Sequence, residues 1–220
     1  MGSRVSPAEP GGAVTLGIVG ETAVPEYWNH NVHYQPVILA AVPPACGAAL
    51  DVGCGDGLLA RRLADRCGTV TGIDRDPGMI RIAREQSQAL PNVSFIEGDF
   101  LAEPFGKESF DLLCSVTAIH HMDFGAALTR MERLLRPGGA LAIVGLARDG
   151  SLGGRLAGAV GLPADWVLRA VHGEGSSGAP IADPQMTWRQ VREAAQELLP
   201  GARYRRHLLW RYSLLWRKPR

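Results

Sequence analysis

Apolar positions in this chain arrive in short blocks with two alternating rhythms. Ala48-Ala49-Leu50-Asp51-Val52 is a near-continuous apolar run of strand length, followed by a glycine turn and by Leu58, Leu59 and Leu63 at helical spacing. Thr69–Ile73 predicts a second strand, and Pro77 opens a helix through Met79, Ile80 and Ile82 to Ala83, where a first-turn proline belongs. Val93–Ile96 and Phe110–Cys114 predict the third and fourth strands. A helix through Leu128, Met131 and Leu135 stops at Arg136-Pro137-Gly138-Gly139, and Ala140–Val144 is a fifth strand. Strands that alternate with helices in this way predict a parallel, doubly wound α/β sheet with both faces covered. Such sheets take their ligands at the carboxyl ends of the strands, so polar residues there carry the most weight.

The flanks read differently. Residues 1–24 are rich in Gly, Pro and Ala without periodicity and predict a mobile tail, with 25–47 as an N-terminal lid or helical segment. Residues 147–185 are weakly patterned and form a variable insertion within a domain running over 48–220. Thr187 and Gln190 make a capping box for a helix towards Leu198. Apolar segments around Leu208-Leu209 and Leu214-Leu215-Trp216 predict a terminal β pair.

Composition removes several classes. With 46% hydrophobic and 20% charged residues the 220-residue chain is neither disordered nor membrane-spanning in pattern. Its net charge is +1, yet residues 203–220 hold seven basic residues and no acid, which leaves the remainder at −6. An acidic body is a poor nucleic-acid surface, so neither nucleic acid nor membrane is expected as a partner. The Arg bias, with Lys only at positions 107 and 218, reads as GC-rich, bacterial coding. Four cysteines without a C-x-x-C pair or zinc-like spacing predict no metal site and fit a reducing cytoplasm.

The chemistry concentrates in Asp51-Val52-Gly53-Cys54-Gly55-Asp56-Gly57. A strand, a glycine turn and a helix start let a ligand approach backbone N–H groups closely. The third glycine comes one residue too early for a dinucleotide fingerprint, and Asp51 and Asp56 would repel a pyrophosphate. These carboxylates suit a ligand with a cationic amine and no phosphate. Asp74 ends the second strand 19 residues after Gly55, where it either accepts from a ribose diol or caps the next helix. With Gly72-Ile73-Asp74, Glu97-Gly98-Asp99-Phe100, Phe110-Asp111-Leu112 and Leu135-Arg136-Pro137-Gly138-Gly139, the chain resembles the class I S-adenosylmethionine-dependent methyltransferases. The likeness is to their small-molecule branch, which includes the ubiquinone/menaquinone C-methyltransferases. It covers residues 27–146 well and the C-terminal third loosely.

The resemblance implies a Rossmann-like, mostly parallel seven-stranded sheet ending in an antiparallel hairpin. It implies S-adenosylmethionine as cofactor, with S-adenosylhomocysteine as its product. Gly53, Cys54 and Gly55 would lie against the methionine moiety, with Asp51 near its ammonium. Asp74 would hold the ribose, Arg75 would flank the adenine, and Gly98, Asp99 and Phe100 would sit at its amino edge and face. Ser115 and Val116 would close the site at the end of the fourth strand. Tyr27, Trp28 and His33 would belong to a segment folding over the cofactor, for which the alternative is an amphipathic helix packed on the sheet. His120 and His121, at the mouth, are the candidate general bases, needed only if the acceptor loses a proton as it attacks. The implied activity is methyl transfer to an O or C atom of a small-molecule metabolite. The alternative is a cofactor-binding protein that does not methylate.

Overall fold

The computed structural model describes residues 29–148, 184–208 and 210–220. Seven strands lie in one sheet in the order β3-β2-β1-β4-β5-β7-β6. They are β1 (Cys46–Val52), β2 (Cys67–Asp74), β3 (Val93–Glu97), β4 (Phe110–Val116), β5 (Leu135–Leu146), β6 (Arg203–Arg206) and β7 (Arg211–Arg217). The first five run parallel, whereas β7 pairs antiparallel with both β5 and β6. The switch point lies where the order reverses, with β1 flanked by β2 and β4.

Residues alternating along the central strands feed two cores. On one face Leu50, Val52, Leu113, Leu141 and Ile143 meet α4 (Phe124–Leu134) and α5 (Trp188–Leu198). On the other, Ala49, Leu112, Cys114 and Ala142 meet α1 (His30–Leu39), α2 (Leu58–Leu63) and α3 (Pro77–Gln86). Burial on both faces is why these strands read as apolar runs rather than alternations. Pro77 does open α3, behind an Asp76 N-cap that accepts from Gly78 and Met79. The capping box also forms: the Thr187 N–H donates to Gln190 Oε1 at 2.9 Å and the Gln190 N–H to Thr187 Oγ1 at 3.3 Å. Each such cap contributes about 1 kcal/mol.

Two elements differ from the sequence reading. First, Arg136–Gly139 does not separate helix from strand. α4 ends at Leu134, and β5 begins at once and bulges, pairing Phe110 with Leu135 and then Leu112 with Ala140, while Gly138 takes φ +80. Pro137 is tolerated there because a bulge has no ladder bond to lose. Second, the apolar pair Leu208-Leu209 is not a strand. The first strand of the hairpin is the basic stretch Arg203–Arg206, and Leu208 sits in the turn, 62% exposed; Leu209 lies outside the described residues. α1 takes the second of its two readings and is packed on the sheet. Tyr34 and Ile38 are buried in the second core, and the Tyr34 hydroxyl donates to the Leu208 carbonyl at 2.9 Å.

The expected tail over 1–24 and most of the expected insertion over 147–185 lie outside the described residues, as do Tyr27 and Trp28. No helix among the described residues is long and apolar enough to cross a membrane.

Candidate active site

The loop after β1 is built by three glycines at positive φ, each for its own reason. At Gly53 (φ +72) a Cβ would fall 2.0 Å from the Ala118 Cβ, and at Gly57 (φ +78) it would fall 2.6 Å from the Phe95 ring. At Gly55 (φ +53) it would meet nothing within 4 Å, so that position faces open space. The N–H groups of Gly53 and Cys54 both donate to the Ile73 carbonyl, tying the loop to the end of β2. Ala118 reaches Gly53 because β4 turns sharply at Thr117, a β-branched residue held at φ +52. Strain of this kind, roughly 1–3 kcal/mol, persists only where the surroundings impose it.

Three carboxylates stand at successive strand ends. Asp74 is the clasp of the loop: its Oδ2 accepts from the Gly55 N–H at 2.9 Å and its Oδ1 from the Asp76 N–H at 3.0 Å. The helix cap is Asp76, which leaves each Asp74 oxygen a further lone pair for a ligand hydroxyl. Asp99 accepts from the Leu101 N–H at 2.9 Å and from Arg75 at 2.6 Å, and the Leu101 bond foremost holds its carboxyl below the ordinary range. The Arg75 ion pair is largely exposed and contributes little to stability.

Asp51 is only 2% exposed. Its Oδ1 receives a long 3.7 Å contact from the Cys114 thiol, and its Oδ2 is buried with no hydrogen-bond partner among the described residues. Burial pushes its pKa up to about 7; the Cys114 contact opposes this, and Asp74 and Asp56 add to it. A carboxyl raised in this way contributes stability below its unfolded value near ~3.9 and loses it as pH rises through about 7.

Other predicted residues are placed less directly. Cys54 packs inward, its Sγ 2.8 Å from where a Gly72 Cβ would be, and burial keeps its thiol protonated. The Gly98 N–H donates to the Asp74 carbonyl at 2.9 Å, bringing β3 to the same rim. The expectation that the Phe100 ring stands beside a ligand is corrected: it is 3% exposed in the first core, under the Arg130 guanidinium. The Ser115 hydroxyl is turned away as well, donating to the Val52 carbonyl at 2.8 Å in a fully buried position. Val116 ends β4, half-buried. His33 is exposed on α1, edge-on to Tyr34 at 4.9 Å.

His120 and His121 form one 3-10 turn after β4, their rings 4.1 Å apart. Only His120 lines a cavity of about 200 Å³, together with Met122, Phe124, Leu146, Met186 and Tyr212. The sequence reading missed Tyr212 and the two methionines, because nothing local to them signals a site.

Residues 50–143 match the family described as the methyltransferase domain. The chain is 37% identical over 194 residues to an "uncharacterized methyltransferase" of Mycobacterium tuberculosis, spanning 87% of this chain and 98% of that one. The chain belongs to the methyltransferase family. This methyltransferase is also 36% identical over 119 residues to the 2-phytyl-1,4-naphtoquinone methyltransferase of Thermosynechococcus vestitus, covering 52% of this chain and 53% of that one. In fold it resembles the SAM-dependent methyltransferase of Aquifex aeolicus, with a TM-score of 0.57 at 17% identity over 82% and 87% of the two chains.

The cofactor is S-adenosylmethionine, and the loop suits it. An orphaned buried carboxylate oxygen at Asp51, open space at Gly55 and further acceptor capacity at Asp74 match an amine, a methionine chain and a ribose diol.

Proposed function

We propose that this methyltransferase acts on an oxygen or carbon of a small-molecule metabolite held beside the end of β4. The observation that carries this reading is continuity: Ala118 lies against Gly53 of the cofactor loop, and His120, two residues on, lines the cavity. The naphthoquinone relative, by name a small-molecule enzyme, supports it. The four cysteines, all free and buried, suit a reducing cytoplasm.

When bound, S-adenosylmethionine supplies an electrophilic methyl group on a sulfonium. Asp51 and Asp74 then hold the ammonium and the ribose, Gly55 admits the methionine chain, and Asp99, Arg75 and the Gly98–Phe100 main chain border the adenine. The chain's task is mainly proximity and orientation, with water kept from the methyl. Gln185 and Met186, just before α5, border the cavity on the acceptor side. His120 takes the acceptor proton where there is one to lose.

Incubation with methyl-labelled S-adenosylmethionine and a fractionated bacterial extract tests the reading. Label should enter low-mass compounds; label confined to protein or RNA would refute it. Once an acceptor is known, His120→Gln should lower kcat by about 100-fold and flatten the pH profile, as loss of a general base does. His121→Ala should stay near wild type. Equal effects of the two substitutions would remove His120 from that role.

Asp51 gives a second test. At pH 5.5, well below its raised pKa, it is largely protonated, and a bound ammonium favours its ionised form. Binding of S-adenosylhomocysteine should therefore release a large fraction of one proton, seen as a buffer-dependent calorimetric enthalpy. Asp51→Asn should abolish that dependence, and a wild type without it would deny the ammonium contact.

A further inference from the structure

The cavity beyond His120 has a chemical character of its own. Its floor is Tyr212 on β7, paired in register with Gly145 on β5. The Tyr212 ring lies across that glycine so closely that a Cβ there would come within 2.4 Å of its hydroxyl oxygen. Tyr204 stacks behind the ring at 5.6 Å and Trp188 meets it edge-on at 6.4 Å, so its position is set from three sides. Burial pushes the phenol well above its ordinary pKa, which keeps it a hydrogen-bond donor at neutral pH.

The walls are Met122, Phe124, Leu146 and Met186, apolar and in part adaptable. Asp123 is the single charged side chain among the described residues lining it, and its Oδ1 already accepts the Ala126 N–H at 2.7 Å. No described lining residue is a lysine or arginine, and Asp123 sets a like charge against an anionic group here. The space between these walls, about 200 Å³ and partly open, has room for a ring, since about 150 Å³ takes one benzene.

We propose that this cavity selects an uncharged, single-ring acceptor bearing a hydroxyl or enol, and that Tyr212, placed by Gly145, is the specificity-determining contact to that oxygen. The inference rests on the reading that methyl transfer takes place at the end of β4. An anionic acceptor would meet Asp123 and no described lysine or arginine there, so phosphorylated and carboxylated acceptors should bind more weakly.

Ligand-observed NMR on the full chain, saturated with S-adenosylhomocysteine, tests it with 2-methoxyphenol, toluene, 4-hydroxybenzoate and phenyl phosphate as probes. 2-Methoxyphenol should bind at least 10-fold more tightly than either anion. Tyr212→Phe should weaken 2-methoxyphenol by about 3- to 10-fold, the range of one neutral hydrogen bond, and leave toluene unchanged. A purely structural tyrosine would affect both alike. Met186→Trp should fill the cavity and abolish binding of both neutral probes while S-adenosylhomocysteine affinity and Tm stay at wild-type levels. Phenyl phosphate binding as well as 2-methoxyphenol, or unaltered probe binding in Met186→Trp, overturns the assignment. S-adenosylhomocysteine affinity is read in the same samples. Its absence would refute the underlying methyltransferase reading, whereas its presence without probe binding refutes the cavity assignment alone.

Discussion

Replacing Asp74 by Ala should lower S-adenosylhomocysteine affinity by about 10- to 100-fold, the scale of one or two charge-assisted hydrogen bonds. Two losses combine. The carboxylate no longer accepts from a ribose diol, and the Gly55 N–H loses the oxygen that holds the loop in place. The second loss also touches stability, because the Asp76 N–H is released at the start of α3. α3 keeps its own Asp76 cap, however, so the stability cost should stay near ~1 kcal/mol while the affinity loss exceeds it. Asp74→Asn is the control: it keeps one acceptor oxygen and should recover part of the affinity. Isothermal titration beside thermal unfolding separates the two effects. Wild-type affinity in a folded Asp74→Ala protein would remove Asp74 from the ribose site.

Gly53 and Gly55 should respond in opposite ways to the same methyl group. At Gly53 an added Cβ strikes the Ala118 Cβ at 2.0 Å, where no flexible side-chain end can give way, and the backbone is at φ +72. Left-handed strain and overpacking together make Gly53→Ala destabilising by about 3 kcal/mol or more. At Gly55 the methyl meets no protein atom within 4 Å, so Gly55→Ala carries only the left-handed cost of about 1–2 kcal/mol. Yet it intrudes where the cofactor approaches the backbone, and affinity should fall at least 10-fold. Gly55→Ala that folds and binds S-adenosylhomocysteine like the wild type would move the ligand away from this loop.

The loop after β1 is written locally in the sequence. Gly53, Gly55 and Gly57 announce backbone at positive φ, and Asp51, next to last in β1, and Asp74, last in β2, mark the strand ends. Five parallel strands follow from the apolar runs. What local pattern cannot show is how side chains divide once strands pair. Phe100 looked like a wall of the site, but the turn capped by Asp99 packs it into the core under Arg130. Ser115 looked available, but its hydroxyl closes the β1–β4 seam at Val52.

Arg136–Gly139 reads as a stop because Pro and Gly usually end elements, and only the pairing with β4 shows that they bend one instead. The cavity beyond His120 is the least legible part. Tyr212 reaches the cavity through an antiparallel register with Gly145, 67 positions away, and no spacing within the sequence encodes such a register. The terminal hairpin was visible as a pair, but its first strand proved to be the arginine-rich Arg203–Arg206. An edge strand made of charge is a familiar guard against further pairing, and it hides from any search for apolar runs.

The central claim is that the loop after β1 holds S-adenosylmethionine and not a dinucleotide. Calorimetric titration of the full chain with S-adenosylhomocysteine, and separately with NAD, tests it most directly. Saturable binding of one S-adenosylhomocysteine in the micromolar range, with no heat from NAD, is the predicted result. Binding of NAD at comparable affinity, or no binding of S-adenosylhomocysteine, would contradict it.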